Sequence, residues 1–481
     1  MDPSSRERWE WSPEEVRRVG HRVVDLVADH LAGLPDEPVF RPFPNERAQA
    51  MLDEPLPETG SEPDAILDRF AAEILPHPFG NGHPRFFGWV NGPPVVLAVL
   101  AEALAAAMNP SVAGGNHAAT YVEHQALNWL KQLIGLDREA MGLLVSGGSA
   151  ATLIGLAAAR HRATGGAVRA EGVDQRLVVY TSDQGHSAIR KAVEVLGLGE
   201  RRLRTLPTDV DWRLDLDALS AALAGDRAAG LIPMAVAASA GTVNTGAIDP
   251  LAALADRCRE QGVWLHVDGA YGGPGVLDSR YRAELAPLAQ ADSVALDAHK
   301  WLYVPYDAGA IFVRDAELMR DAFSFVPAYL RESADPDGVT WLPWLSEYGL
   351  EQTRAFRALK LWMALACHGR AGYAAAIGRD IDHASRLARL VSEQHGLELV
   401  AHNLSIVCLR CVRPDLDAAE LDAFNERVLR ELQLGGEAFL SGTTLAGRFV
   451  LRACFVNPRT RESDLPIVVA ALVRAAEASA L

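Results

Sequence analysis

The stretch Trp264-Leu265-His266-Val267-Asp268-Gly269-Ala270-Tyr271-Gly272-Gly273 opens on a short, largely apolar run, places a carboxylate, and passes into small residues. An apolar run without polar alternation is the pattern of a strand covered on both faces. A charged side chain at its end, followed by glycine, marks the carboxyl edge where open α/β sheets bind ligands. The pattern repeats to either side. Apolar runs at 143–145, 177–180, 229–235, 293–296 and 310–313 predict further strands, with helical segments at 150–160, 187–196 and 250–260 between them. Buried strands joined by helical crossovers predict an α/β fold around a mainly parallel sheet. Beyond Leu350 a long helical segment containing Phe356-Arg357-Ala358-Leu359-Lys360-Leu361-Trp362 leads to strands near 406–412 and 449–455, a smaller α+β domain.

Upstream, Ser12-Pro13-Glu14-Glu15 reads as a helix start, with Ser12 and Glu15 placed for a capping box and Pro13 at the first helical position. Val16, Val19, Val23, Leu26, Val27 and Leu31 then form an apolar stripe of helical period. Its cover is either a partner subunit or the chain's own core. Residues 33–62, rich in proline and acid, are expected to be an extended connector. The predicted division is an N-terminal helical segment (1–80), a large α/β domain (81–370) and a small α+β domain (371–481).

The 481 residues carry a formal net charge of -16, which disfavours nucleic acid and anionic membranes as partners. No apolar stretch reaches the roughly 20 residues of a membrane span. The N-terminus lacks a basic-then-apolar signal, so the expected location is cytoplasmic. Cys258, Cys367, Cys408, Cys411 and Cys454 are sparse. The Cys408/Cys411 pair sits in a strand-like context without the second pair of a zinc site, and no metal is expected.

Four segments, each at a strand exit, carry the chemistry. Ser146-Gly147-Gly148-Ser149-Ala150-Ala151-Thr152 joins a strand to a helix, so its glycines and unpaired N–H groups suit an anion, although such turns also cap structural helices. Thr181-Ser182-Asp183-Gln184-Gly185-His186-Ser187 places His186 where it can stack on a flat ring or handle protons, or simply cap a helix. Asp268 either caps its turn or faces a cationic ring nitrogen, with Ala270 leaving room for a flat cofactor. In Asp297-Ala298-His299-Lys300-Trp301, the Lys300 amine can form a Schiff base with a carbonyl cofactor. A phosphate cradle, a ring-facing histidine, a ring-nitrogen carboxylate and a Schiff-base lysine in this order are the complement expected for pyridoxal 5'-phosphate.

With these motifs, and with His83-Pro84-Arg85-Phe86-Phe87, the sequence resembles the group II pyridoxal-phosphate amino acid decarboxylases over nearly its whole length. The resemblance implies a fold type I enzyme with a mainly parallel seven-stranded sheet, working as a homodimer with active sites at the subunit interface. It implies that Lys300 holds the cofactor, Asp268 partners the pyridine nitrogen and His186 stacks on the ring. Gly148 and Ser149 then cradle the phosphate, with His299 on the phosphate side. Tyr329, in Pro327-Ala328-Tyr329-Leu330, matches the loop tyrosine that protonates the substrate carbon after carbon dioxide leaves.

Three departures stand out. Asp297-Ala298 replaces the Asn-Pro of many members, and an ionised aspartate cannot donate to a phosphate. Val243 follows Thr242 where many members have a second threonine, leaving Thr242 as the substitute hydroxyl. The expected substrate wall, Trp89-Val90-Asn91-Gly92 with 110–116, has no phenylalanine around Ser111-Val112-Ala113. The expected substrate is an aromatic L-amino acid (tryptophan, tyrosine or dihydroxyphenylalanine). An acidic amino acid is the alternative, and an aldehyde synthase or aminotransferase the more distant one. Arg452 reads either as an anion contact or as a solvated strand-end arginine.

Overall fold

The computed structural model describes residues 9–80, 82–325 and 342–480. The predicted sheet is present with seven strands: β1 (Met141–Val145), β2 (Leu177–Ser182), β3 (Leu203–Leu206), β4 (Ile232–Ser239), β5 (Trp264–Asp268), β6 (Ser293–Asp297) and β7 (Gly309–Val313). Their spatial order is β1-β7-β6-β5-β4-β2-β3. The pairs β2–β3, β2–β4, β4–β5 and β5–β6 are parallel, and β7 runs antiparallel to both β6 and β1. Between β6 and β7 the chain makes only the short Ala298–Trp301 helix and a loop. A parallel return needs a crossover of a dozen or more residues, so β7 comes back antiparallel.

β1, β2, β6 and β7 are buried at every position, as strands with both faces covered must be. Two readings shift. β4 starts at Ile232 rather than 229, because Ala229 caps the Leu216–Ala228 helix and Gly230 turns the chain at φ +76°. β3 escaped prediction because Leu203-Arg204-Thr205-Leu206 is a four-residue edge strand, mostly only half-buried.

The parallel arrangement sends β2, β4, β5 and β6 out on one edge, which collects the motifs. The Gly148–Ala163 helix is held against the sheet by a buried polar knot. His266 Nδ1 and Trp264 Nε1 each lie 2.8 Å from Ser293 Oγ, and His266 Nε2 lies 3.4 Å from Thr152 Oγ1. A Cβ at Gly155 would fall 2.7 Å from His266 Nδ1, so glycine is required for this approach. Burial lowers the His266 pKa to about 4, keeping the ring neutral in the knot.

The C-terminal part forms a four-stranded sheet of order β10-β11-β9-β8, from β8 (Leu397–Asn403), β9 (Ile406–Cys411), β10 (Ser441–Leu445) and β11 (Arg448–Cys454). Before it runs the Ala358–Glu393 helix, interrupted at Gly369 (φ +61°). By compactness the chain divides into one unit of Trp89–Arg410 with Arg452–Pro458, which holds the large sheet, and one of Met1–Gly88, Cys411–Leu451 and Arg459–Leu481. In the latter, Val39, Phe86 and Phe439 make a small apolar core.

The N-terminal helix spans Pro13–Gly33, and Ser12 Oγ accepts the Glu15 N–H at 3.1 Å. The Glu15 carboxylate pairs with Arg18. Val19 is the only buried residue of this helix, whereas Val16, Val23 and Val24 are exposed. The expected connector instead contains a helix, Asn45–Asp53, none of whose residues is buried. Its good helix formers (Glu46, Ala48, Gln49, Ala50, Met51, Leu52) outweigh the flanking prolines. No helix among the described residues is long and apolar enough to cross a membrane.

Candidate active site

Lys300 lies in the short helix that follows β6, with its side chain 22% exposed and its Nζ 3.3 Å from Asp297 Oδ2. The same oxygen is 3.5 Å from His299 Nε2. His299 accepts the Ala308 N–H at Nδ1 (3.2 Å), so its proton sits on Nε2. Burial lowers the His299 pKa, against the opposing pull of Asp297. The Tyr306 ring lies against it with centroids 4.7 Å apart.

The lysine's backbone is fixed from the neighbouring chain segment. A Cβ on Gly92 would lie 2.3 Å from the Lys300 carbonyl oxygen and 3.0 Å from that of Val456. Behind it, Trp301 Nε1 (2.9 Å) and Tyr303 OH (2.7 Å) both donate to Asp380 Oδ2 from the long helix. Trp301 stacks on Tyr271 at 5.1 Å, and Tyr271 OH is 2.6 Å from Ser405 Oγ. Burial pushes Asp380 up to about 7 despite these donors.

Asp268 ends β5, where its Oδ1 accepts the Ala270 N–H at 3.1 Å. His186 is the N-cap of the Ser187–Val195 helix, and its Nδ1 accepts the Ala188 N–H at 3.1 Å, leaving Nε2 to carry the proton. Burial lowers its pKa first of all, and Asp268, Lys300 and Asp297 all act on it through space. The four strand exits therefore converge on one place.

Gly147 and Gly148 lie over Asp297. A Cβ on Gly148 would be 3.0 Å from Asp297 Oδ2 and 3.1 Å from Ala270 Cβ, and one on Gly147 would be 3.3 Å from His299 Cε1. Ser149 follows in the first turn of the helix. Thr242 is buried with its hydroxyl 2.8 Å from that of Thr245, capping its own turn. Tyr329 lies outside the described residues.

Arg452 corrects one reading. It is 2% exposed rather than solvated, with Nη1 on the Trp89 carbonyl (2.9 Å) and Nε on that of Asn244 (3.2 Å). Asn244 in turn donates to Gln184 Oε1 at 3.0 Å, two residues before His186. Trp89 sits in the left-handed region, φ +48°.

Arg354, Glu123 and Asp380 were missed by the sequence reading. Arg354 is fully buried against Glu123, donating also to the carbonyls of Val112 (3.0 Å) and Leu144 (3.0 Å). It thereby ties the expected substrate wall to the strand that leads into the glycine loop. Burial raises the Glu123 pKa, and Arg354 opposes the rise. The available signal was faint: an arginine two residues before the Phe356–Trp362 motif.

A lysine, a histidine and the Asp268 carboxyl at the carboxyl edge of this sheet, beside a glycine turn, form the set that pyridoxal phosphate chemistry calls for. The chain belongs to the pyridoxal-dependent decarboxylase family: the model of the "pyridoxal-dependent decarboxylase conserved domain" matches residues 44–412. It is 34% identical to an aromatic-L-amino-acid decarboxylase of Bacillus atrophaeus over 95% of both chains. It is 32% identical to a phenylacetaldehyde synthase of Arabidopsis thaliana over 94% of both. Among solved structures it is similar to Oryza sativa TDC with PLP and tryptamine (TM-score 0.89, 27% identity), covering 98% of this chain and 99% of that one. The protein is thus a pyridoxal-phosphate-dependent amino acid decarboxylase, a carboxy-lyase. The residues present fit the cofactor. A Cβ at Gly148 would press on Asp297 and Ala270, and among the described residues buried Ser182 Oγ and Asp297 Oδ1 have no hydrogen-bond partner.

Proposed function

We propose that the enzyme converts an aromatic L-amino acid (tryptophan, tyrosine or dihydroxyphenylalanine) to its amine and carbon dioxide. The observation that carries this reading is the end-to-end similarity to an aromatic-L-amino-acid decarboxylase. Similarity at 26% identity to the Catharanthus roseus tryptophan decarboxylase in complex with L-tryptophan adds to it. Trp89, whose carbonyl Arg452 holds, keeps 44% exposure and offers an indole surface.

In this reading Lys300 provides the amine that anchors the cofactor and yields it to the substrate. Asp268 would partner the ring nitrogen, His186 would stack on the ring, and Ala270 would leave room for it. Gly148 and Ser149 would hold the phosphate, with His299 Nε2–H as a further donor and Thr242 as a further cofactor-side hydroxyl. When bound, the cofactor supplies the electron sink that lets the carboxylate leave. Tyr329 delivers a proton to the substrate carbon, giving amine rather than aldehyde.

The working form is proposed to be a cytoplasmic homodimer. Val96, Leu100, Leu104 and Met108 recur every fourth residue along the Val96–Met108 helix and are all exposed, an apolar stripe suited to a second copy. The exposed valines of the N-terminal helix have the same need.

The test is carbon dioxide release by the cofactor-loaded protein across the twenty amino acids plus dihydroxyphenylalanine, with products identified by mass spectrometry. Release with an aromatic substrate and an amine product is expected. Release only with aspartate or glutamate would overturn the substrate class, and an aldehyde product would move the enzyme to the synthase branch.

A further inference from the structure

The carboxyl of Asp297 has two oxygens in different surroundings. Oδ2 lies 3.3 Å from Lys300 Nζ and 3.5 Å from His299 Nε2, whereas Oδ1 is buried without a hydrogen-bond partner among the described residues. The side chain is only 4% exposed. A Cβ on Gly147 would be 3.6 Å from Oδ1 and one on Gly148 3.0 Å from Oδ2, so the carboxyl faces the backbone that opens the Gly148–Ala163 helix.

Cofactor binding changes the electrostatics around Asp297 twice. The Lys300 nitrogen would be drawn from Asp297 towards the cofactor's carbonyl, keeping at most the one positive charge it already carries. With the phosphate held as proposed, a charge of roughly -1.5 to -2 then arrives at the loop that Asp297 faces. Two like charges brought into one buried site cannot both stay ionised.

The neighbours do not supply the missing charge. His299 already accepts the Ala308 N–H at Nδ1, so a second ring proton would meet an N–H. His186 accepts the Ala188 N–H at Nδ1 and is bound by the same restriction. Lys360, which acts on His299, is turned to Glu102 (2.5 Å) and the Tyr306 carbonyl (2.9 Å). Asp307, which also acts on His299, and Asp268, which acts on His186, add negative charge.

We infer, on the reading that this loop holds the phosphate, that Asp297 and the cofactor's phosphate share one proton, taken from solvent as the cofactor binds. The shared proton gives Oδ1 its missing hydrogen bond and removes one negative charge from the cradle. Asparagine at this position would donate an N–H without any proton uptake.

The experiment titrates the apo-protein with pyridoxal 5'-phosphate and with unphosphorylated pyridoxal between about pH 6.5 and 9, comparing wild type with Asp297→Asn by absorbance. For the phosphorylated ligand, the ratio of wild-type to variant Kd should climb with pH, approaching about tenfold per unit for one linked proton. For pyridoxal the ratio should stay flat. A flat ratio for both ligands, or an equal climb for both, overturns the inference. Calorimetry on the wild type in buffers of different ionisation enthalpy gives a count independent of the variant. At about pH 8, where free phosphate monoesters are dianions, about one more proton should be taken up with the phosphorylated ligand; equal counts refute the sharing. Gly148→Val tests the premise separately. It should weaken pyridoxal phosphate far more than pyridoxal, and equal weakening removes the phosphate from this loop altogether.

Discussion

Asp297 and Asp380 are buried carboxyls that flank the Lys300 helix in opposite manners. Asp380 is 1% exposed and receives the Trp301 indole and the Tyr303 phenol on one oxygen. Asp297 is 3% exposed, shares one oxygen between the Lys300 and His299 side chains and leaves the other unmet among the described residues. Burying an unmet acceptor costs about 1–3 kcal/mol, which a fold tolerates where a ligand will meet it. Asp380 is thus part of the frame and Asp297 lies at the candidate site; an unmet oxygen alone does not make the difference, since Glu123 Oε2 also has no hydrogen-bond partner among the described residues. The same contrast separates Arg354, engaged on Glu123 and two carbonyls, from the site it frames.

If the contrast holds, changes on the ligand side remove activity while leaving the fold, and changes on the frame side do the reverse. The largest effect belongs to Lys300→Ala, which should lose the visible absorption of lysine-bound cofactor. Carbon dioxide release should fall by more than about 10³-fold with the melting temperature of the apo-protein nearly unchanged. Full turnover by this variant would break the comparison at its centre. On the frame side, Arg354→Met strands the Glu123 carboxyl and should cost about 3–5 kcal/mol in denaturant unfolding. A loss below about 1 kcal/mol would mean that the pair is no frame.

A pH measurement sharpens the role of Asp380. Its folded pKa, about 7, lies above the ordinary 3.8, so the fold favours the protonated acid. The stabilisation is full below about pH 3.8 and is lost as pH rises towards 7. The unfolding free energy of wild type minus that of Asp380→Asn should therefore shrink across this window, and a constant difference would contradict the assignment. The smallest effect on rate, though not on product, is expected from Tyr329→Phe. The variant should keep releasing carbon dioxide while its product shifts from amine towards aldehyde, read by mass spectrometry, and an unchanged product ratio would remove Tyr329 from proton delivery.

The ligand side was the legible part of the sequence. Gly148, His186, Asp268 and Lys300 each follow an apolar run closely, and the parallel sheet sends those runs out on one edge. The β4 shift and the absent β3 arose where strand ends have ordinary turn chemistry or only four residues. The frame was opaque for a different reason. Asp380 and Glu123 sit within amphipathic helices, where an acid reads as a solvated face, and their partners lie far away in sequence: Trp301 for the first, Arg354 for the second. Arg452 looked like a strand-end cation for the same reason, since nothing local marks its reach to Trp89 and Asn244. The helix at Asn45–Asp53 was hidden by proline and acid density on either side.

Gly92 packs directly on the backbone of Lys300 and carries no reactive group of its own. Because any Cβ there would collide with the Lys300 carbonyl oxygen at 2.3 Å, a replacement at this position forces the two backbone segments apart, and Lys300 is expected to move with them. In a saturation library selected for amine production, position 92 should fall silent as completely as position 300. A mutational map taken alone would file an inert glycine among the reactive residues.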